Sequence, residues 1–403
     1  RLPTPRPLAR GGRPAVPAAR RHSQPPALLR PAIHPAMDGV AGRGGITGPR
    51  TVLARAYQAV PRAITVEGAN ILTRSLMVFG QGAIRCHPFI TDEISAAQDP
   101  DQEQGLRDFD AVFYRHIAHS ARNSLRACAL AWVGGALETV PESGDLQRYY
   151  RQLARFSAAF ALLTDVTLLS IGGGLKARQR LSGRMADCLV HLYYGSAVIK
   201  YWLDQDRPED QRNLVEWSLE TSVYGAQQAL WAVVNNFPVR ALRWPLRLLV
   251  FPPGHTRLHG PSDGLGTRVA ATIVEDTPLR DHLAQSCYRK QDPADPLGRV
   301  LNAYRLALDT KEVRGRLNEA IRARDEDQLD ATALLMGHQR EELVDWAQQQ
   351  GLVSAEERGP LLEALTALYD VIRVDAFDPE GIRELAEGAR GKRRVVERPP
   401  VTS

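Results

Sequence analysis

Long stretches of helical periodicity, each ended by proline or glycine, are the feature that most constrains how this chain can fold. Apolar side chains recur every three or four positions, which places them on one face of a helix. The predicted helices cover residues 71–79, 101–139, 146–170, 177–203, 208–236, 266–274, 278–287, 296–309, 327–350 and 355–372. Alternating strand–helix units do not occur, which excludes a nucleotide-binding α/β sheet. The sequence therefore predicts an all-α fold, with a loop over the proline-rich residues 238–264.

The two ends of the chain differ from this pattern in composition. Residues 1–35 contain nine Pro, seven Arg and no Asp, Glu or Lys, and they show no helical or strand period. Such a segment buries too little apolar surface to offset its ordering entropy, so we predict that it is disordered, and it could be foreign to the gene. The alternative is a basic arm that binds membrane or nucleic acid. The basic residues 388–403 are predicted to form a disordered tail.

The charge balance argues against nucleic acid as a partner. The formal net charge is +5, but residues 1–50 hold nine Arg and one acid. The remainder has 51−9 = 42 basic and 46−1 = 45 acidic residues, a net charge of −3, so no broad cationic face is predicted.

Four cysteines without a C-x-x-C pair indicate reduced thiols and a cytoplasmic protein, with inner-membrane association as an alternative.

An apolar stretch over residues 156–175 has about the length needed to cross a bilayer. It contains Asp165 and ends in the Gly172–Gly174 run, both of which disfavour a membrane span. We therefore interpret it as a buried or partner-facing core helix, and the glycine run as a tight turn between helices.

Glu67 is the strongest candidate for chemistry from the residues alone. It is the single acid in the run A-I-T-V-E-G-A-N-I-L-T, between a strand-like segment and the start of a helix. Apolar surroundings raise the pKa of a carboxyl group toward the range in which it can act as a general base. The alternative interpretation is an acid at a helix N-terminus, stabilised by the helix dipole.

The same run resembles the segment that carries the catalytic glutamate of acyl-CoA dehydrogenases, Glu-Gly-Thr-x-x-(Ile/Leu)-x-Arg. Glu67, Gly68, Leu72 and Arg74 match that pattern, while Ala69 stands where Thr is usual. The following F-G-Q-G-A-I-R-C-H-P resembles the long bacterial β-oxidation type, which carries an additional C-terminal helical domain. Weaker matches lie at residues 113–117, 162–186 and 375–378, so that the resemblance covers residues 36–378.

The resemblance implies α,β-desaturation of a fatty acyl-CoA, with FAD as cofactor and an electron-transfer flavoprotein as acceptor. Glu67 would remove the α-proton while the β-hydrogen leaves as hydride to the flavin, and the Glu67 backbone N–H would help to bind the thioester carbonyl. Gly68 would let the acyl chain pass close to the backbone. The positions that match family residues near the flavin are Ala69, Asn70 and Ile71.

A glycine-rich turn upstream also resembles the family. Gly42 and Gly44 match the turn that contacts the FAD of a neighbouring subunit, which implies a homo-oligomer; a plain loop is the alternative. The resemblance divides the chain into a foreign or disordered segment (1–35), the end of the dehydrogenase helical domain with Glu67 (36–100), a C-terminal helical domain (101–387) and the tail.

The family places a helical domain and a β-domain before the position of residue 36, and these hold most of the FAD and acyl-CoA contacts. We therefore expect a truncated gene product that is inactive alone and binds little or no FAD. The rival hypothesis is a non-catalytic helical domain for protein interaction or peripheral membrane contact.

No metal site is predicted. His116 and His119 share a helix face, but the sequence suggests no third ligand nearby, so a pair on the helix surface is expected. The run Gly172-Gly173-Gly174-Leu-Lys lacks the preceding strand and following Ser/Thr of a phosphate-binding loop.

Overall fold

The computed structural model describes residues 72–141, 144–253, 258–288, 292, 294–323, 340–373, 379–380 and 382–383. Helices are the regular structure in these ranges, without a strand, and the prediction of an all-α fold is confirmed. The described residues divide between two compact units, with the boundary between Gln285 and Ser286. The domain boundaries that the sequence predicts at residues 35, 100 and 387 stay predictions.

The first unit contains nine helices among its described residues. Their bounds are α1, a π-helix over Thr73–Gln81 that continues as an α-helical turn over Gly82–Arg85; α2, Ile90–Ala97; α3, Gln102–Trp132; α4, Gln147–Ile171; α5, Gln179–Asp204; α6, Arg212–Asn235; α7, Arg240–Val250; α8, Asp263–Val274; and α9, Pro278–Ala284. Short 3₁₀ segments over Gly172–Ala177 and Glu209–Gln211 precede α5 and α6.

Side-chain caps explain where several of these helices begin. The Asp101 carboxylate accepts hydrogen bonds from the backbone N–H groups of Glu103 and Gln104 at the start of α3. Thr277 caps α9 in the same way, with Pro278 in the first helical turn. The α4 helix ends at Gly172, whose φ of 52° suits a residue without a Cβ atom.

One hydrophobic core holds the first unit together, and α4, α5 and α6 supply most of it. Its fully buried side chains include Phe156 and Leu163 on α4, Met185 on α5, and Leu219 and Leu230 on α6. Replacing one of these large side chains by alanine would cost about 2–5 kcal/mol of unfolding free energy. The three helices therefore form a stable frame against which the flanking helices pack.

Among the described residues, one helical stretch, Gln147–Ala177, is long and apolar enough to cross a membrane by length and composition. Phe156, Leu163 and Thr167 on its inner face are fully buried, whereas Leu169 is 90% exposed. A helix that packs in a core needs a buried apolar face, so the buried face agrees with the prediction of a core helix.

Residues 238–264, which the sequence predicts to be rich in loops, also contain a helix that was not predicted. The α7 helix occupies Arg240–Val250 despite Pro245 in its middle. Proline removes one backbone donor and disfavours a helix. Leu246 and Val250 are buried in the core, and their burial offsets that cost.

The second unit contains four helices in its described part: α10, Pro296–Asp309; α11, Lys311–Arg322; α12, Arg340–Gln349; and α13, Ala355–Ile372. No helix was predicted over the residues of α11, although Val313, Leu317 and Ile321 follow a helical spacing and are buried. These side chains pack in a separate core with α12 and α13.

Candidate functional site

The residues that the resemblance assigns to catalysis and cofactor binding lie outside the described residues, whose first member is Leu72. They are Glu67, Gly68, Gly42, Gly44, Ala69, Asn70 and Ile71. The structure does describe the last matched position of the motif, Arg74, and the helices that follow. Two groups of polar side chains there connect these helices.

The first group is an ion pair between Arg74 on α1 and Asp187 on α5. Arg74 Nε and Nη2 donate to Asp187 Oδ1 and Oδ2 at 2.6 and 2.5 Å, so both carboxylate oxygens are used. The hydrogen bond to Asp187 raises the pKa of Arg74 above its usual value. This two-point contact fixes the direction of the arginine side chain as well as its position.

Gly183, one helical turn before Asp187 on α5, makes room for this arginine. A Cβ atom at Gly183 would lie 2.6 Å from Arg74 Nη1, too close for an unchanged guanidinium position. Arg74 was predicted from the sequence as a motif position, but neither Gly183 nor Asp187 was predicted as its neighbour. The one-turn spacing of Gly183 and Asp187 was visible, but no local pattern links it to a residue 113 positions away.

The helix that carries Arg74 is also fixed by packing. Phe79 is buried, and its ring meets the Phe160 ring of α4 edge to face at 5.9 Å between centroids. Ser75 and Gly80 of the same π-helix are buried as well. π-Helical segments are rare and occur frequently at functional sites. The segment that follows the predicted catalytic glutamate is therefore held by both an ion pair and the core.

The second group is a cluster of imidazoles and carboxylates. His87, in the turn between α1 and α2, places Nε2 3.1 Å from Oδ1 of Asp165 on α4. His116 on α3 places Nδ1 2.7 Å from Oε1 of Glu93 on α2. The His87 and His116 ring centroids are 4.6 Å apart, so the two pairs form one site. We name His87, Glu93, His116 and Asp165 the histidine cluster.

The sequence paired His116 with His119, whereas the structure groups His116 with two other potential metal ligands, His87 and Asp165. One candidate ligand atom each from His87, His116 and Asp165 lies within 4.8 Å of the other two. His119 adjoins this site without belonging to that group, and its Nε2 lies 2.8 Å from Asn123 Nδ2. Burial lowers the pKa of His119, although the charge of Asp165 opposes that effect.

Asp165 is charged in this environment. Burial alone would raise its pKa, but the hydrogen bond from His87, the nearby Ser120 hydroxyl and the neighbouring imidazoles lower the pKa below its usual value. Its second oxygen, Oδ2, is buried and accepts no hydrogen bond of normal geometry. A buried carboxylate oxygen without a donor is unfavourable and uncommon in folded proteins.

A comparison with known families decides the family of the chain. The family model described as "Acyl-CoA dehydrogenase, C-terminal, bacterial type" matches residues 84–377, well over half of the 403 residues. The chain belongs to this family. No solved structure matches the chain.

The acyl-CoA dehydrogenase C-terminal region contains the whole histidine cluster, together with Gly183 and Asp187. Arg74 lies before its first matched residue. The Arg74–Asp187 ion pair therefore joins two parts of the chain. Arg74 belongs to the motif that resembles the catalytic segment, and Asp187 belongs to the residues that the family model matches. The family match and the Glu67 motif rest on different residues, and the ion pair connects the two parts of the chain physically.

The same acyl-CoA dehydrogenase region contains an open cavity of about 370 Å³ between α4, α5 and α6. Arg148 lines it and is paired with Glu216 at 2.5 Å and with Glu220 at 3.0 Å. Arg212, also in the wall, is paired with Asp145. Since carboxylates occupy these two cations, they offer no free charge to an anionic ligand.

Proposed function

We propose that this protein α,β-desaturates fatty acyl-CoA in β-oxidation, with FAD as cofactor and Glu67 as the base that removes the α-proton. Membership of the acyl-CoA dehydrogenase C-terminal family supports the reaction class. The motif that begins at Glu67 and ends at Arg74 supports the choice of base, because it resembles the family's catalytic segment.

The observation that carries the proposal is the ion pair between Arg74 and Asp187. Proton abstraction by a carboxylate requires that its position be fixed relative to the substrate. Arg74 is seven residues after Glu67, and its guanidinium makes two hydrogen bonds to a helix of the core. The motif therefore leads directly into a helix that cannot turn or slide without breaking this contact.

The cofactor and partners belong to the proposal through the family resemblance. FAD, when bound, accepts the hydride from the β-carbon, while the protein supplies position and electrostatics. An electron-transfer flavoprotein would reoxidise the flavin, and a homo-oligomer would bring Gly42 and Gly44 to the FAD of a neighbouring subunit. A cytoplasmic enzyme with access to the inner membrane is consistent with a fatty acyl substrate.

Glu67→Gln tests the proposed base in a restored, FAD-loaded enzyme, in which the family's helical domain and β-domain precede residue 36. The substitution keeps the size of the side chain and removes its basicity, so reduction of the flavin by acyl-CoA should slow by about 10²–10⁴-fold while FAD stays bound. The matched control is Glu341→Gln, an exposed glutamate on α12, which should leave the rate unchanged. Near-normal flavin reduction by Glu67→Gln would remove Glu67 from the base role.

A second candidate function, peripheral membrane contact, is favoured by the outer face of α7. An apolar stripe on this face is exposed to solvent, with Trp244 76% and Leu248 48% exposed. Arginines flank it, and the α7 sequence, R-A-L-R-W-P-L-R-L-L-V, contains no acid. Arg247 lies 5.4 Å from the centre of the Trp244 ring. Exposed tryptophan and leucine beside arginines are typical of helices that lie in the headgroup region of anionic bilayers.

Vesicle binding separates this function from catalysis. The chain should bind vesicles that contain phosphatidylglycerol more strongly than vesicles of phosphatidylcholine alone. Trp244→Ser together with Leu248→Ser should weaken that binding by about tenfold or more, since two large apolar side chains no longer enter the bilayer. Leu169→Ser is the control, because Leu169 is an exposed leucine on a different helix. Equal binding by the double variant and the control would exclude α7 as the contact.

A further inference from the structure

The histidine cluster joins three segments of the acyl-CoA dehydrogenase C-terminal region that are far apart in sequence. His87 precedes α2, His116 lies on α3 and Asp165 lies on α4. The proposed desaturation assigns no role to these residues. Two imidazoles and one carboxylate are a ligand set that zinc and related divalent ions bind in proteins.

His116 is oriented as a ligand by Glu93. A carboxylate can only accept a hydrogen bond, so the 2.7 Å contact requires that His116 Nδ1 carries the proton. The neutral ring then presents a lone pair on Nε2. Metal-bound histidines in proteins usually donate their second N–H to a carboxylate or carbonyl in this way. The Glu93–His116 pair therefore supplies both a ligand and its support.

Asp165 provides the negative charge. Its side chain is 11% exposed, and the unpartnered oxygen Oδ2 is buried beside the two imidazoles. A cation bound at this carboxylate would satisfy Oδ2, which accepts no hydrogen bond of normal geometry. A buried carboxylate oxygen of this kind can act as a ligand for a cation.

His87 must change its proton position to bind a metal ion. In the structure Nε2 faces Asp165, and Nδ1 accepts a hydrogen bond from the Phe89 backbone N–H at 3.3 Å. Coordination through Nε2 would move the ring proton to Nδ1 and break the contact with Phe89. That contact, at 3.3 Å, is longer than most backbone N–H hydrogen bonds.

We propose that His87, His116 and Asp165 bind one divalent transition-metal ion of the zinc type, with Glu93 as the residue that orients His116. Zinc bonds of about 2.0–2.2 Å need ligand atoms about 3.3–3.6 Å apart in a tetrahedral site, so the group must contract from its present spread of up to 4.8 Å. Three protein ligands leave a fourth position for water. The ion would tie the turn before α2 to α3 and α4.

Zinc titration of the chain with all 403 residues tests this site. The chain, without a histidine tag, is stripped with a chelator and titrated with Zn²⁺ by calorimetry. We expect one ion per chain, about hundredfold weaker binding in His116→Ala, and about tenfold weaker binding in Glu93→Gln. The control is His259→Ala, an exposed histidine outside the cluster, which should bind zinc like the unaltered chain.

Two further measurements keep the proposal testable if a variant fails to fold. Co²⁺ in the unaltered chain should give the intense visible absorption of a tetrahedral site, and zinc should shift the amide NMR signal of Phe89. A chain that binds no stoichiometric zinc or cobalt, or that binds both equally well after His116→Ala, would overturn the proposal. The cluster would then be a hydrogen-bonded link between helices.

Discussion

Two aspartates on consecutive core helices hold neighbouring parts of the chain in different ways. Asp187 meets Arg74 near the surface, where the two side chains are 29% and 50% exposed, and both of its oxygens are used. Asp165 meets His87 in a buried place, where the side chains are 11% and 5% exposed, and one of its oxygens is left without a donor. The exposed pair uses both carboxylate oxygens, whereas the buried pair leaves one oxygen that the proposed cation would bind.

This difference in burial predicts different energetic roles. Water screens the attraction between Arg74 and Asp187. The pair therefore fixes the direction of the Arg74 side chain more than it stabilises the fold. The His87–Asp165 contact is shielded from water, and breaking it leaves buried polar groups without partners. The first pair is suited to position the catalytic motif, and the second to join helices and to bind an ion.

The largest effect on stability is expected for Asp165→Ala. The change removes the acceptor of the buried His87 N–H, which should lower the free energy of unfolding by about 1–3 kcal/mol. Urea denaturation in the presence of a chelator measures this loss without a contribution from metal. If Asp165→Ala cost less than Asp187→Ala in the same experiment, the ranking of the two pairs would be wrong.

A smaller, pH-dependent effect is expected at His191, one turn after Asp187 on α5. Burial lowers the pKa of His191, although Asp187 opposes the shift. The unfolded chain therefore binds a proton more readily than the folded chain, so this contribution to stability is present above about pH 6.5 and is lost as the pH falls below that value. The unfolding free energy of the unaltered chain should decrease more than that of His191→Gln between pH 7 and 5.

Parallel loss of stability in both proteins over that pH range would contradict this account. The ring of His191 also fills the space above Gly225, where a Cβ atom would lie 2.4 Å from a ring carbon. Comparison at pH 7.5, where both proteins are neutral at this position, separates the packing cost of the substitution from its effect on protonation.

The smallest effect on stability is expected for Asp187→Asn. An exposed ion pair is worth about 1 kcal/mol or less, so unfolding should change little, and the change should shrink further in high salt. Flavin reduction in the FAD-loaded protein should fall more clearly than stability, because Arg74 loses its two-point contact. A large loss of stability with unchanged flavin reduction would reverse the roles that we assign to the two aspartates.

The fold could be predicted where helix signals are local. The bounds of α10 and α13 agree with the predicted residues 296–309 and 355–372, because Asp295–Pro296 and the capping box of Ser354 and Glu357 mark their starts. The α7 helix could not be predicted in this way. The burial that stabilises it despite Pro245 depends on a core built from distant residues.

The polar contacts of the site were less predictable than the helices. Arg74 and Asp187 are 113 residues apart, and His87 and Asp165 are 78 residues apart. Their meeting depends on how α1, α3, α4 and α5 pack, and periodicity within one helix carries no information about that. The resemblance to the family's catalytic segment identified Arg74 as a motif position. Its partner, Asp187, could be identified only from the structure.

The proposed desaturation is tested most directly by exchange of the substrate α-proton. The FAD-loaded enzyme, restored with the helical domain and β-domain that the family places before residue 36, is incubated with acyl-CoA in D₂O, and deuterium at the α-carbon is measured by mass spectrometry. We predict rapid exchange by the unaltered protein and a loss of about 10²-fold or more in Glu67→Gln. Exchange at an unchanged rate in Glu67→Gln, with FAD bound to both proteins, would contradict the assignment of Glu67 as the base.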